Sequence, residues 1–250
     1  MKYGKPPLTT VSGGSFFVKT AAAAHETEKN RDPKPERFPD NKGVTDLETG
    51  IHNTSEIGRL KRVLLHRPGG ELENLMPEYL ERLLFDDIPY LKEAQKEHDA
   101  FADCLRSQGV EVVYLTDLVA ESLTDGDVRR ELLRQFLDEA DIQDSRTREA
   151  AEEYLSAMPD QEMVAAMMAG VRKSQLRTGS ARLGDYLSAA GDDYPFAVDP
   201  MPNLYFTRDP FATIGTGVSL HKMHTITRNR ETLFGKFIFE HHPLYKNAPR

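Results

Sequence analysis

Between Ser55 and Asp117 the chain reads as a strand, a loop, a helix and a second strand, and that order limits what it can fold into. Gly58-Arg59-Leu60-Lys61-Arg62-Val63-Leu64-Leu65-His66-Arg67-Pro68-Gly69 holds a β-branched and leucine run that ends on Pro-Gly. A buried strand feeding a loop is the expectation. Pro77 to Ile88 follows. Leu91, Ala94, His98, Phe101, Ala102 and Leu105 then recur at helical spacing, and Gly109 is placed to stop that helix as a C′ residue. Val110 to Leu115 reads as the second strand.

The texture changes after Leu118. Val128, Leu132, Leu133, Phe136 and Leu137 mark one amphipathic helix. Ala150, Tyr154, Leu155 and Met158 mark another, stopped by Pro159, and Met163, Ala166, Met167 and Val171 a third. Tyr186 and Leu187 begin a weak fourth. Strand signals are absent from this stretch, so a small helical bundle is expected, with Met163, Met167 and Met168 as core filler. Before Gly50 the composition is the opposite. Asn30 to Arg37 is charged and broken by Pro33 and Pro35, so residues 1–50 read as a disordered N-terminal extension.

Whole-chain composition excludes several classes of function. The length of 250 residues allows one large domain, or one domain with an insert. A net charge of −8 argues against a general nucleic-acid binder. No run of about 18 apolar residues is present, so no membrane span is expected. The single cysteine, Cys104, rules out an internal disulfide framework and a Cys-rich zinc site. Pro6, Pro7, Gly13 and Gly14 interrupt any signal-peptide core, and a cytoplasmic location is expected. Cys104 falls late in its helix, where the dipole disfavours a thiolate, and reads as a packing or half-exposed thiol. His66 and His98 read as loop-end and helix-face residues. His241 and His242 close a helix; neighbouring residues there point apart, so an exposed pair is expected and no metal site.

The stretch Met201-Pro202-Asn203-Leu204-Tyr205-Phe206-Thr207-Arg208-Asp209-Pro210 is chemically the densest. Read by spacing alone, Asp209 before Pro is a turn residue with Arg208 as its surface partner. The sharper reading is a carboxylate at a strand end facing a cleft, whose natural partner is a planar cation. Phe211 to Ile214 and Val218 to Leu220 read as two strands joined by Gly215-Thr216-Gly217. Arg228 to Thr232 leads into a helix marked by Leu233, Phe234, Phe237 and Ile238.

Met201 to Asp209 closely resembles a signature segment of the arginine deiminases, in the guanidino-group-modifying superfamily. Gly215-Thr216-Gly217-Val218 and Ile226-Thr227-Arg228-Asn229-Arg230-Glu231-Thr232 resemble the continuation of that pattern. Leu65 to Gly69, Leu83 to Asp87 and Gly109 to Val112 match its earlier pieces in order. The helical stretch distinguishes it from agmatine deiminases and dimethylarginine hydrolases. The resemblance begins near Thr54 and covers the front half of the family's pattern.

It implies an α/β fold: an incomplete pentein-type α/β propeller, first repeats only, with an α-helical bundle insert. The first repeat would span 51–117, the insert 118–199 and a truncated second repeat 200–250. An open sheet edge or exposed core is then expected.

The activity implied is hydrolysis of L-arginine to L-citrulline and ammonia through a covalent cysteine intermediate. Such an intermediate divides one difficult hydrolysis of a resonance-stabilised guanidinium into two steps, and histidine moves the protons. Carried over by position, Asp209 would bind the guanidinium. Asn203 and Arg228 would hold the α-amino and α-carboxylate end, and Phe206 would pack along the stem. The nucleophilic cysteine and catalytic histidine are expected after Arg250, so no catalytic residue and no turnover are expected of this chain alone. L-arginine is the expected partner, without cofactor, metal, nucleic acid or membrane; a homo-oligomer is left open. The alternatives are a non-catalytic arginine-binding or association protein, and an agmatine or methylarginine hydrolase. Arg228 argues against agmatine, which has no carboxylate.

Overall fold

In a computed structural model the described residues are 50–176 and 194–250. The expected extension, Gly50 apart, and the weak helix at Tyr186 and Leu187 lie outside them.

Strand β1 (Arg62–Leu65) is followed by two one-turn helices, α1 (Gly70–Glu73) and α2 (Leu80–Leu83), then by the long helix α3 (Leu91–Ser107) and strand β2 (Glu111–Tyr114). β1 and β2 pair in parallel, with Arg62 opposite Glu111 and Leu65 opposite Tyr114. Parallel neighbours need a crossover, and α3 lies within it. Gly109 ends α3 as expected: its φ is +76°, and the Gly109 and Val110 N–H groups donate to the carbonyls of Arg106 (2.9 Å) and Leu105 (3.1 Å).

Leu115 is not the last residue of the strand. It opens helix α4 (Leu115–Ser122), because Leu115, Leu118, Val119 and Ser122 fall on one helical face and that face is buried. Helices α5 (Gly126–Asp138), α6 (Ser145–Ser156) and α7 (Asp160–Ala169) follow. The carboxylates of Asp125 and Asp144 accept the first free N–H groups of α5 and α6. Met163, Met167 and Met168 are buried in the main core, as their reading as filler requires.

The reading that this stretch holds no strand is corrected by β3 (Val171–Arg172), which pairs antiparallel with β4 (Phe196–Val198). Two and three residues are too short to show an alternation.

The hairpin is as expected. β5 (Phe211–Ile214) pairs antiparallel with β6 (Gly217–Leu220), and Gly215 exchanges backbone hydrogen bonds with Asn53 (2.7 and 2.8 Å). Helix α8 (Ile226–His241) packs against α4, α5 and β6, and Phe234 and Phe237 join Leu115, Leu132, Phe136 and Met167 in one core. Helix and sheet are mixed, in three two-stranded sheets, and among the described residues no barrel or ring of strands closes.

Cys104 is exposed. His66, by contrast, is buried, with Nε2 3.0 Å from Glu71 Oε1. The exposed pair expected at His241 and His242 is corrected for His242. The chain turns back at Pro243, and the buried His242 ring stacks on Tyr245 at 4.8 Å. Its Nδ1 accepts the Leu244 N–H (3.1 Å), so Nε2 carries the proton donated to Glu121 (2.9 Å).

Candidate functional site

The segment from Pro200 is tied to the end of α7, where the Met201 N–H donates to the Met168 carbonyl (3.0 Å). Pro202–Tyr205 forms one 3-10 turn, with Pro202 at its first position, where a missing N–H costs nothing. The Phe206 N–H then donates to the Asn203 carbonyl (3.0 Å), and the Asp209 N–H to that of Phe206 (2.9 Å). These turns deliver Asp209 to the start of β5.

Asn203 is buried, and its Nδ2 donates to the Leu83 carbonyl at 3.0 Å. That bond clamps the end of α2, where Leu84 takes a left-handed conformation with φ +55°. Asn203→Ala removes the donor from a buried carbonyl. It is expected to cost about 1–3 kcal/mol in urea denaturation. The Phe206 ring is 45% exposed and lies against Tyr205, with centroids 4.1 Å apart; Tyr205 in turn meets Phe85 edge-on at 6.2 Å.

Arg208 does not pair with Asp209, as the turn reading supposed. It turns to Glu56, and Asp209 takes Arg228 instead. Arg228 Nη1 lies 3.0 Å from Asp209 Oδ2. The other side of the same guanidinium donates to Glu231, Nε to Oε1 at 2.8 Å and Nη2 to Oε2 at 2.7 Å. This is the bidentate geometry that a planar fork makes with a carboxylate. The three side chains differ in exposure: 1% for Glu231, 15% for Arg228 and 45% for Asp209. Burial pulls the Arg228 pKa down, but the hydrogen bonds and charges of Glu231 and Asp209 outweigh it and raise it above the ordinary value. Burial pushes the Glu231 carboxyl up, with Arg228 pulling the other way. His221 Nδ1–H donates to the Asp209 carbonyl (2.7 Å), fixing the backbone at the same residue.

A family model for arginine deiminase matches residues 81–250, which carry this whole arrangement. The chain belongs to the arginine deiminase family. Arginine deiminases of Streptococcus pyogenes, of its serotype M1 and of a serotype M3 strain are each 59% identical to it over 199 residues. The match spans 79% of this chain and 48% of each relative, so the chain spans about half the length of the curated relatives it matches.

Of the four positions carried over from the arginine deiminases, the structure brings Asp209 and Arg228 into contact. Asn203 is turned to Leu83, and Phe206 to Tyr205. Sequence reasoning missed Glu231, the residue that fixes Arg228. The available signal was its position three residues after Arg228 on a helix. Ile226, 70% exposed, leaves apolar surface at the head of α8. Among the described residues no group of three or more His, Cys, Asp or Glu is placed to hold a metal ion, and no helix is long and apolar enough to cross a membrane.

Proposed function

We propose that this chain carries the arginine-recognising part of an arginine deiminase, the enzyme that hydrolyses L-arginine to L-citrulline and ammonia. The observation that carries the reading is the Asp209–Arg228–Glu231 array within the family match. Arginine has a cationic planar end and an anionic end, and each needs the opposite charge with two-point geometry. Asp209 supplies the anion for the guanidinium, and Arg228 the fork for the α-carboxylate. Phe206 offers an exposed ring for the methylene stem, and Asn203, whose Nδ2 is held by the Leu83 carbonyl, offers Oδ1 as the acceptor for the α-amino end.

The covalent chemistry is assigned to residues outside this sequence. Cys104 is exposed in the last turn of α3, far from a helix N-terminus that would favour a thiolate. The nucleophilic cysteine and acid–base histidine are proposed to lie in the part of the relatives that this chain does not match. The same reading takes 51–117 and 200–250 as pentein-type repeats flanking a helical insert at 118–199, in a cytoplasmic protein.

Calorimetry tests the recognition step without requiring turnover. L-arginine should bind, and Asp209→Asn should weaken it by about tenfold or more, the scale of one charge-assisted pair. Agmatine, which lacks the carboxylate, should bind about tenfold more weakly than arginine. A folded chain that gives no heat with millimolar arginine would contradict the reading, as would equal affinity for both ligands.

A further inference from the structure

The 3.0 Å contact between Asp209 Oδ2 and Arg228 Nη1 has a geometric consequence for a ligand that uses both residues. Arg228 holds one of the two Asp209 oxygens, so a ligand guanidinium that pairs with both of them must displace it. The pair must open before both contacts form.

The surroundings decide which member moves. Arg228 is 15% exposed and doubly bonded to Glu231, which is 1% exposed one turn further along α8. Asp209 is 45% exposed, lies between a turn and β5, and meets Arg228 through one oxygen. Opening therefore swings Asp209 and leaves Arg228 in place.

Resting on the assignment of Asp209 and Arg228 to the two ends of arginine, we infer that the Asp209–Arg228 pair is a closed latch and that Glu231 is the positioning residue behind it. In the closed state the Arg228 guanidinium occupies the place that the ligand's guanidinium takes. The incoming group exchanges one guanidinium–carboxylate pair for another, which by itself gains little. The gain comes from the ligand's carboxylate, which takes the Arg228 Nη1 edge that Asp209 releases. Glu231 keeps that edge facing the ligand throughout the exchange. A guanidinium without a carboxylate only replaces the pair it breaks and leaves the released Arg228 edge unmatched, so the latch selects amino-acid guanidines over simple ones.

The test compares L-arginine with methylguanidine on four purified 250-residue chains: wild type, Asp209→Asn, Glu231→Gln and the double variant Arg228→Gln/Glu231→Gln. The double variant removes the latch without leaving a buried charge unpaired. Methylguanidine should bind it about three- to tenfold more tightly than wild type, because Asp209 is already free, while arginine loses its advantage. Glu231→Gln alone should weaken arginine by about tenfold and leave methylguanidine within about twofold. Methylguanidine binding to the double variant no more tightly than to wild type overturns the latch, even where arginine binding itself is confirmed.

A ligand-free readout separates the two ideas. The Arg228 Nε–H signal in nitrogen-resolved NMR should be exchange-protected in wild type and Asp209→Asn, and lost in Glu231→Gln. Loss in Asp209→Asn with retention in Glu231→Gln overturns the positioning role. If no chain binds either ligand while the Nε–H pattern is as expected, the arginine-binding reading and the latch both fall, and only the anchoring of Arg228 by Glu231 stands.

Discussion

Arg228→Ala is expected to lower the unfolding free energy by about 3–5 kcal/mol in urea denaturation at pH 7, the cost of leaving one member of a buried pair without its partner. The member left behind is Glu231, 1% exposed and deprived of both strong donors at once. The double variant Arg228→Ala/Glu231→Gln should recover most of the loss. Asp209→Ala removes a contact to the same guanidinium but should cost only about 0–1 kcal/mol, because Asp209 is 45% exposed and solvent can replace it. The pH dependence gives a second check. Burial raises the Glu231 pKa in the folded chain, so the folded state holds that proton more tightly than the unfolded one. The stability contributed is full below the unfolded value of about 4.3 and is lost as pH rises through the folded value. Removing Arg228 strengthens the shift, so the deficit of Arg228→Ala should shrink as pH is lowered from 7 toward 4. A deficit that grows on acidification would place Glu231 in contact with water instead of in the core.

Much of the fold was legible because its elements are long enough to show a period. Leu91 to Leu105 shows the helical spacing, Gly109 gives a stop with a mechanism, and Gly215-Thr216-Gly217 joins two short strands. What was not legible fell below that length or depended on distant residues. β3 and β4 are too short for any alternation, and α4 was hidden because Leu115 belongs equally well to the apolar end of a strand and the first turn of a helix. The burial of His242 follows from the turn after Pro243, which brings Tyr245 onto the ring, and from the packing of α8 on α4, which supplies Glu121; neighbour patterns on the helix cannot show it. The site divides the same way. Asp209 and its need for a planar cation could be read from residue types. Glu231 could not be ranked, since a pair three residues apart on an exposed helix is worth only about 0.2–0.5 kcal/mol. Its weight comes from burial against the core, which is a tertiary fact. Asn203 shows the reverse: its residue type suggests ligand contact, and the fold gives its amide to the Leu83 carbonyl.

Gly170→Ala should be the most damaging substitution outside the array, because it strikes the joint that delivers the site segment. Gly170 has φ +80° and ψ 163°, a region essentially restricted to glycine, at the end of α7. A Cβ there would lie 2.6 Å from the Pro200 nitrogen and 2.8 Å from the Val198 carbonyl oxygen. Both are backbone atoms, so neither can rotate away as a side chain would. Strain of about 1–3 kcal/mol adds to overpacking of about 1–3 kcal/mol, giving roughly 2–6 kcal/mol in thermal or urea unfolding. The displacement also has a direction. The neighbouring Val171 pairs with Val198, and Met201 donates to Met168, so a shift of Pro200 carries into the turn that holds Asn203 and onward to Asp209. Arginine affinity should therefore fall with stability, by about tenfold or more, even though Gly170 has no side chain to offer a ligand. Gly215→Ala supplies the control. Its φ is +60°, but an added Cβ would meet nothing within 4 Å, so only the left-handed backbone cost of about 1–2 kcal/mol remains. If the two substitutions cost the same, the backbone contact at Pro200 is not limiting and the junction between α7 and the site segment is looser than its hydrogen bonds imply.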